Sequence, residues 1–157
     1  MRKLGISIYP GKTTEEELLN YIDKSFEAGF SRIFSCLLSS TEGKEMILKK
    51  FKKINYYAKK KGFEIILDVN PRVFDDLGIS YNDLTFFKEM GADGIRLDIG
   101  FTGLQESIMT FNKENLKIEI NMSNDTHYID TIMDYRPNKN NLIGCHNFYP
   151  HIHTGLG

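Results

Sequence analysis

Six apolar, strand-like runs recur about every thirty residues along this chain, each separated from the next by a helical pattern, and that rhythm restricts the fold more than any other feature. The runs are Leu4 to Tyr9, Arg32 to Leu37, Glu64 to Val69, Gly94 to Ile99, Leu116 to Ile120 and Asn141 to Phe148. Strands alternating with helices at this spacing pair in parallel through right-handed crossovers. The pattern predicts an α/β fold of (β/α) TIM-barrel type, with about six parallel strands and five helices.

The helical segments carry their own punctuation. Thr14-x-x-Glu17 reads as a capping box, and Leu18, Ile22 and Phe26 then recur on one helical face. In the next unit Ile47, Phe51, Ile54 and Ala58 form the buried stripe. Gly29, Gly62 and Gly91 each stop a helix just before the following strand. The third helix is expected to open at Ser80 and pass through Leu84 and Phe87, the fourth to cover about Leu104 to Phe111, and a fifth, capped by Asn124 or Asp125, to carry Ile129, Ile132 and Met133. Gly11-Lys12-Thr13 resembles the end of a phosphate-binding loop, but the spacing refuses it, because Ile6 stands where the motif needs its first glycine. A Pro-Gly turn followed by a capped helix is the better reading.

Polar residues gather at the strand ends. Asp68 and Asn70, Arg96 and Asp98, and Glu119 and Asn121 are pairs two residues apart, so each pair shares one face of its strand. In a barrel that face is the interior, and the second member of each pair lies nearer the mouth, where catalytic residues from several strands converge. The sixth run continues the theme with His146, Asn147 and Tyr149. Asp98, Glu119 and Asp68 are therefore the candidate catalytic carboxylates, with Asp98 first because Gly100 and Gly103 follow it in a small-residue loop. Asn70, Arg96, Asn121, His146, Asn147, Tyr149 and Tyr9 are the candidate binding groups. Paired carboxylates suit glycoside hydrolysis, in which one protonates the leaving oxygen while the other attacks or activates water. The bland alternative is an ion-pair network plugging the barrel, with Arg96 on Asp68 or Glu119, since charges buried without partners cost several kcal/mol. A metal-dependent isomerase or aldolase using Asp98, Glu119 and His146 is a further alternative.

Composition excludes other classes. Twenty basic residues against 21 acidic ones give a net charge of −1, so the basic run from Lys49 to Lys53 reads as a solvated helix face, and no nucleic-acid partner is expected. Both cysteines, Cys36 and Cys145, lie in apolar runs and read as buried thiols. The start, Met1-Arg2-Lys3, is not followed by an apolar stretch long enough for a signal peptide, and no segment is long enough to span a bilayer, so a cytoplasmic protein without membrane contact is expected. No cofactor is expected.

The segments LGISIYPGKTTEEELLNYI, AGFSRIFSCLLS, GADGIRLDIGFTG, IEINMSN and NLIGCHNFYPHIHTGL closely resemble the bacterial phospho-sugar glycosidase family typified by 6-phospho-N-acetylmuramidase. The resemblance implies a barrel that hydrolyses 6-phosphorylated MurNAc-GlcNAc during cell-wall recycling in the cytoplasm, with a phosphorylated sugar as its small-molecule partner. It also implies a longer polypeptide, with the rest of the barrel and a cyclophilin-like domain after it. A closed eight-stranded barrel rarely takes fewer than about 200 residues, so residues 1–157 are expected to form a single, partial barrel domain. Such a chain is expected to self-associate through its open strand edges and to show no activity by itself, which makes an inactive remnant or a phospho-sugar binding module the rival reading.

Overall fold

The computed structural model describes residues 3–38, 40–121 and 132–145, and for Asn121 and Cys145 the backbone alone. Its elements run β1 (Gly5–Ile8), α1 (Glu15–Glu27), β2 (Arg32–Cys36), α2 (Lys44–Lys60), β3 (Glu64–Val69), α3 (Pro71–Leu77), α4 (Thr85–Glu89), β4 (Gly94–Leu97), α5 (Gly103–Met109), β5 (Lys117–Asn121) and β6 (Leu142–Cys145). The six strands form one sheet in the order β1-β2-β3-β4-β5-β6, every pair parallel. This is the α/β architecture of an incomplete barrel.

The first two helices form for the reasons the sequence announces. Thr14 caps α1 through a complete capping box: its hydroxyl accepts from Glu17 N, and the Glu17 carboxylate accepts from Thr14 N. Three glutamates in the first turn suit the positive end of the helix. In α2, Ile47, Phe51, Ile54 and Ala58 are all buried, and Lys59 and Lys60 sit in the last turn. Gly29, Gly62 and Gly91 follow these helices and α4 with φ of 86°, 98° and 84°, a left-handed geometry that a side chain would disfavour. Each reversal drops the chain straight into the next strand.

Between β3 and β4 the structure departs from the sequence reading. The helix expected from Ser80 begins instead at Thr85, with Leu84 at its N-cap position. A further helix, α3, starts immediately after β3. Pro71 occupies its first turn, where a missing N–H costs nothing, and Gly78 closes it in the left-handed conformation. Gly103, expected in a loop, is instead the first residue of α5, which Thr102 and Gln105 cap with a second capping box. Most of the helix expected after Asn124 lies outside the described residues; of its apolar positions Ile132 is buried and Met133 packs against the core.

Alternation divides the sheet into two unlike faces. One face, with Ile8, Ile33, Ile65, Leu67, Ile95 and Ile118, joins the buried helix residues in a single apolar core. The other carries Arg32, Phe34 and Cys36 of β2, Glu64, Ile66 and Asp68 of β3, Gly94 and Arg96 of β4, and Lys117 and Glu119 of β5. The register aligns Cys36, Asp68, Arg96, Glu119 and Ile143 in one row across five strands. Buried Asn55 fastens α2 to the end of α4 by donating to the Met90 carbonyl at 3.0 Å.

Gly94 marks how closely β4 and β5 are packed on the polar face. A Cβ there would stand 2.6 Å from the Lys117 carbonyl oxygen and 3.1 Å from Ile66 Cδ1. Gly94→Ala is therefore expected to cost about 1–3 kcal/mol, because the obstacle is backbone. Gly43→Ser is the control: nothing lies within 4 Å of its Cβ, and a serine N-cap gains a few tenths of a kcal/mol on α2. Chemical denaturation midpoints of the two variants compare them directly.

Candidate functional site

The polar face of the sheet holds two arginine-carboxylate assemblies. In the first, Arg96 of β4 grips Asp68 of β3 with both arms: Nε donates to Oδ1 at 3.0 Å and Nη2 to Oδ2 at 2.9 Å. Both side chains are close to buried, at 12% and 11% exposure. In the second, Arg32 of β2 donates from Nε to Glu64 Oε2 and from Nη1 to Glu119 Oε2, each at 2.7 Å. Lys3 adds a contact of 3.2 Å to the other oxygen of Glu64. Phe34 lies between the two assemblies, its ring centroid 4.6 Å from Arg96 Cζ and 5.7 Å from Arg32 Cζ, so both guanidinium groups sit over an aromatic face.

These contacts fix the charges. Burial pulls the Arg32 guanidinium down, but the hydrogen bond to Glu64 and the charge of Glu119 outweigh it and leave the group more basic than usual. Burial likewise pushes Glu64 up, yet the Arg32 hydrogen bond and charge, with help from Lys3, hold its carboxyl below the ordinary glutamate value. Cys36, next to Asp68 in the register, has its thiol pushed up chiefly by burial. It is a buried thiol, as expected.

Asp98 is placed differently. Its backbone N–H donates to the Val69 carbonyl at 2.8 Å, which extends the β3-β4 ladder one step past Leu97. It lies two residues beyond Arg96, at the C-terminal end of the strand, and is partly exposed. Among the described residues its carboxylate has no hydrogen-bonding or ion-pair partner. Asp68 and Glu119 therefore stand in an arginine-held layer, and Asp98 stands one step nearer the strand ends.

Asn70 has a job that the sequence reading did not assign. Its side-chain oxygen accepts from Val73 N at 3.1 Å and caps α3. Asn70 also lines a cleft of about 460 Å³ between the loop after β2 and α3, with Leu37, Thr41, Lys44, Arg72 and Leu77 among its walls. Asp68, Asp98 and Glu119 do not line that cleft. Tyr9 stands just past β1, 45% exposed, in a turn where its carbonyl accepts from Lys12 N and Thr13 Oγ1. That turn and the capped α1 occupy the stretch that superficially resembled a phosphate loop. Asn121 ends β5 opposite Cys145, and its side chain lies outside the description, as do His146, Asn147 and Tyr149. Among the described residues no group of three or more His, Cys, Asp and Glu could hold a metal ion.

The sequence reading missed Arg32, Glu64 and Phe34. The signal was present: Arg32, Phe34 and Cys36 repeat with the same period of two that exposed the pairs on β3, β4 and β5.

A family model described as the N-terminal region of 6-phospho-N-acetylmuramidase matches residues 4–157. The chain belongs to this family. Among solved structures, it is similar to an uncharacterized B. cereus protein, with 52% identity and a TM-score of 0.76 over 95% of this chain and 39% of that one. It also shares its fold with a conserved Enterococcus faecalis protein of unknown function, at 23% identity and a TM-score of 0.67, over 93% of this chain and 39% of that one. The chain thus spans about two fifths of the length of each. No curated protein matches it.

Two measurements test these assignments. Asn70→Ala should cost about 1 kcal/mol by removing the α3 cap, and Asn70→Asp should keep most of it; urea denaturation reads both. Because folding lowers the Glu64 value, its contribution is present above the unfolded value, near 4.5, and is lost as the pH falls through the lower folded one. Stability measured below about pH 4.5 should therefore fall less steeply in Glu64→Gln than in the parent protein.

Proposed function

We propose that this chain supplies the strand-end carboxylates of a glycosidase that cleaves 6-phosphorylated MurNAc-GlcNAc in the cytoplasm, in the recycling of cell-wall sugars. The family match over residues 4–157 supports the substrate class. One structural observation carries the chemistry: Asp98 sits at the C-terminal end of β4 without a partner among the described residues, while the carboxylates behind it are held by arginine.

Glycoside hydrolysis needs one carboxyl group that can exchange a proton with the leaving oxygen and one that stays anionic. A carboxylate already committed to two guanidinium hydrogen bonds is a poor proton donor, because losing its charge would strand the arginine. Asp68 is in that position. Asp98 is not, and it lies at the strand end, where the active sites of barrel enzymes are built. The reading therefore gives Asp98 the direct chemical role and gives Arg96 and Asp68 the task of shaping the charged surface beneath it. Because the chain covers 39% of its solved relatives, the activity proposed is that of the whole family polypeptide.

Joining residues 1–157 to the C-terminal remainder of the B. cereus relative gives a full-length protein for the assay. Asp98→Asn in that protein should lower turnover of a 6-phosphorylated muramyl glycoside by about 10²-fold or more, the usual worth of a positioned acid or base. Its melting temperature should stay close to the parent's, since the amide keeps the size and breaks no ion pair among the described residues. Retained turnover with a large loss of stability would make Asp98 structural and remove this reading.

A further inference from the structure

Arg32 is the one described residue that reaches across the polar face from β2 to β5. It starts its strand, and the row it shares with Glu64 lies four residues before the row of Asp68 and Arg96. Its Nη1 nevertheless meets Glu119 Oε2 at 2.7 Å, three strands away in the sheet order. The Glu119 side chain is 0% exposed and that of Arg32 16%. A wholly buried carboxylate on the same face as the candidate chemistry is thus gripped by an arginine that is itself braced by Glu64.

We propose that Arg32 is a positioning residue: it fixes Glu119 as a standing anion one row behind Asp98 and so leaves proton exchange with the substrate to Asp98. The inference rests on the glycosidase reading for its use, though not for its physical content. The grip is bidirectional. Arg32 keeps one arm on Glu64, so its Nη1 cannot swing away from Glu119 without giving up a fork held at 2.7 Å on both sides. Removing a charge from either end would leave the other charge buried, which protein interiors resist strongly.

The other charged groups on this face lie around the same carboxylate. Glu64 and Asp68 project from β3, and Arg96 is the register partner of Glu119 on β4. Ile143 is its uncharged register partner on β6. From β1 come Gly5 and Ser7, also uncharged, and Lys117 on the strand itself is engaged with the Asn140 carbonyl at 2.6 Å. Among the described residues each carboxylate here meets an arginine, Asp68 meeting Arg96 while Glu64 and Glu119 share Arg32, and Glu64 also meets Lys3. Replacing Arg32 by a neutral residue therefore withdraws the cation that bridges two anions.

Carboxyl-carbon NMR on the protein labelled in its glutamates tests this, with the Glu119 signal identified by its disappearance in Glu119→Gln. In the parent protein the Glu119 carboxyl is expected to remain ionised throughout the range in which free glutamate titrates, near pH 4.3. In Arg32→Met its midpoint should rise by about one pH unit or more, the effect of losing an adjacent opposite charge. Arg32→Lys, which restores the charge without the fork, should bring most of that rise back. A purely structural ion pair would move this titration as well, so the full-length protein is assayed beside it: Arg32→Met should carry the acid limb of its pH–rate profile upward with Glu119, which a structural role would not do. If Arg32→Met does not fold, the parent protein alone decides: a Glu119 that titrates at or above the free glutamate value overturns the proposal. Unaltered Glu119 titration in a folded Arg32→Met also overturns it. If Glu119 behaves as expected while the full-length protein hydrolyses no phosphorylated muramyl glycoside, the role of Arg32 stands and the glycosidase reading falls.

Discussion

The contact between Arg32 and Glu119 sets a condition that the rest of the sheet has to meet. Adjacent strands lie about 4.8 Å apart, so β2 and β5 in a flat sheet would be separated by about 14 Å. A 2.7 Å ion pair between their side chains is favoured by a concave polar face, which turns the two strands' side chains toward one another. Twist alone curls a parallel sheet, and this charged pair holds the curl on the inside while the apolar helices cover the outside. The two effects agree, and consistency of that kind lets one sequence specify one structure.

The division of labour between the faces follows. On the outer face burial of Ile33, Ile65, Ile95 and Ile118 in one core with the apolar helix residues supplies the driving force, and truncating any one would open a cavity. The inner face contributes little net stability, because the cost of desolvating its charges offsets most of their attraction. What it contributes is specificity. A one-residue slip of β4 would carry Arg96 to the apolar side and leave Asp68 facing Ile95 or Leu97. The register of the strands is thus policed by charge inside and by shape outside.

Much of this was legible in the sequence. The strand rhythm, the period-two polar pairs and the Thr14 capping box depend on local spacing, and local spacing survives folding. The possibility that Arg96 would bind Asp68 was also visible, since two residues in register on adjacent strands have few other partners. Arg32 with Glu119 was not, because residues 87 apart in sequence meet only through the curvature of the whole sheet. The region between β3 and β4 failed for a different reason. Asn70-Pro71 is a clear helix start, an N-cap followed by proline, but strand alternation with Asp68 claims Asn70 as well, and one residue carries two competing periods. Ser80 has the chemistry of an N-cap ahead of the helix that Gly91 ends, but that helix starts only at Thr85.

Asn70 illustrates how strand ends in this fold serve two purposes. The residue that ends β3 also begins α3, so its side-chain oxygen is spent on Val73 N while its backbone still stands at the mouth of the sheet. The same geometry brings the Asp98 amide onto the Val69 carbonyl and anchors the backbone of that aspartate, although its carboxylate meets no described partner. A rigid backbone beneath an uncommitted carboxylate is what a reacting group requires: its position is set by the ladder, and its proton is set by whatever binds above it. The largely buried arginines behind it are each held in place by a carboxylate on a neighbouring strand or beyond. The reactive position proposed above is therefore one row past the last carboxylate that the scaffold holds with arginine.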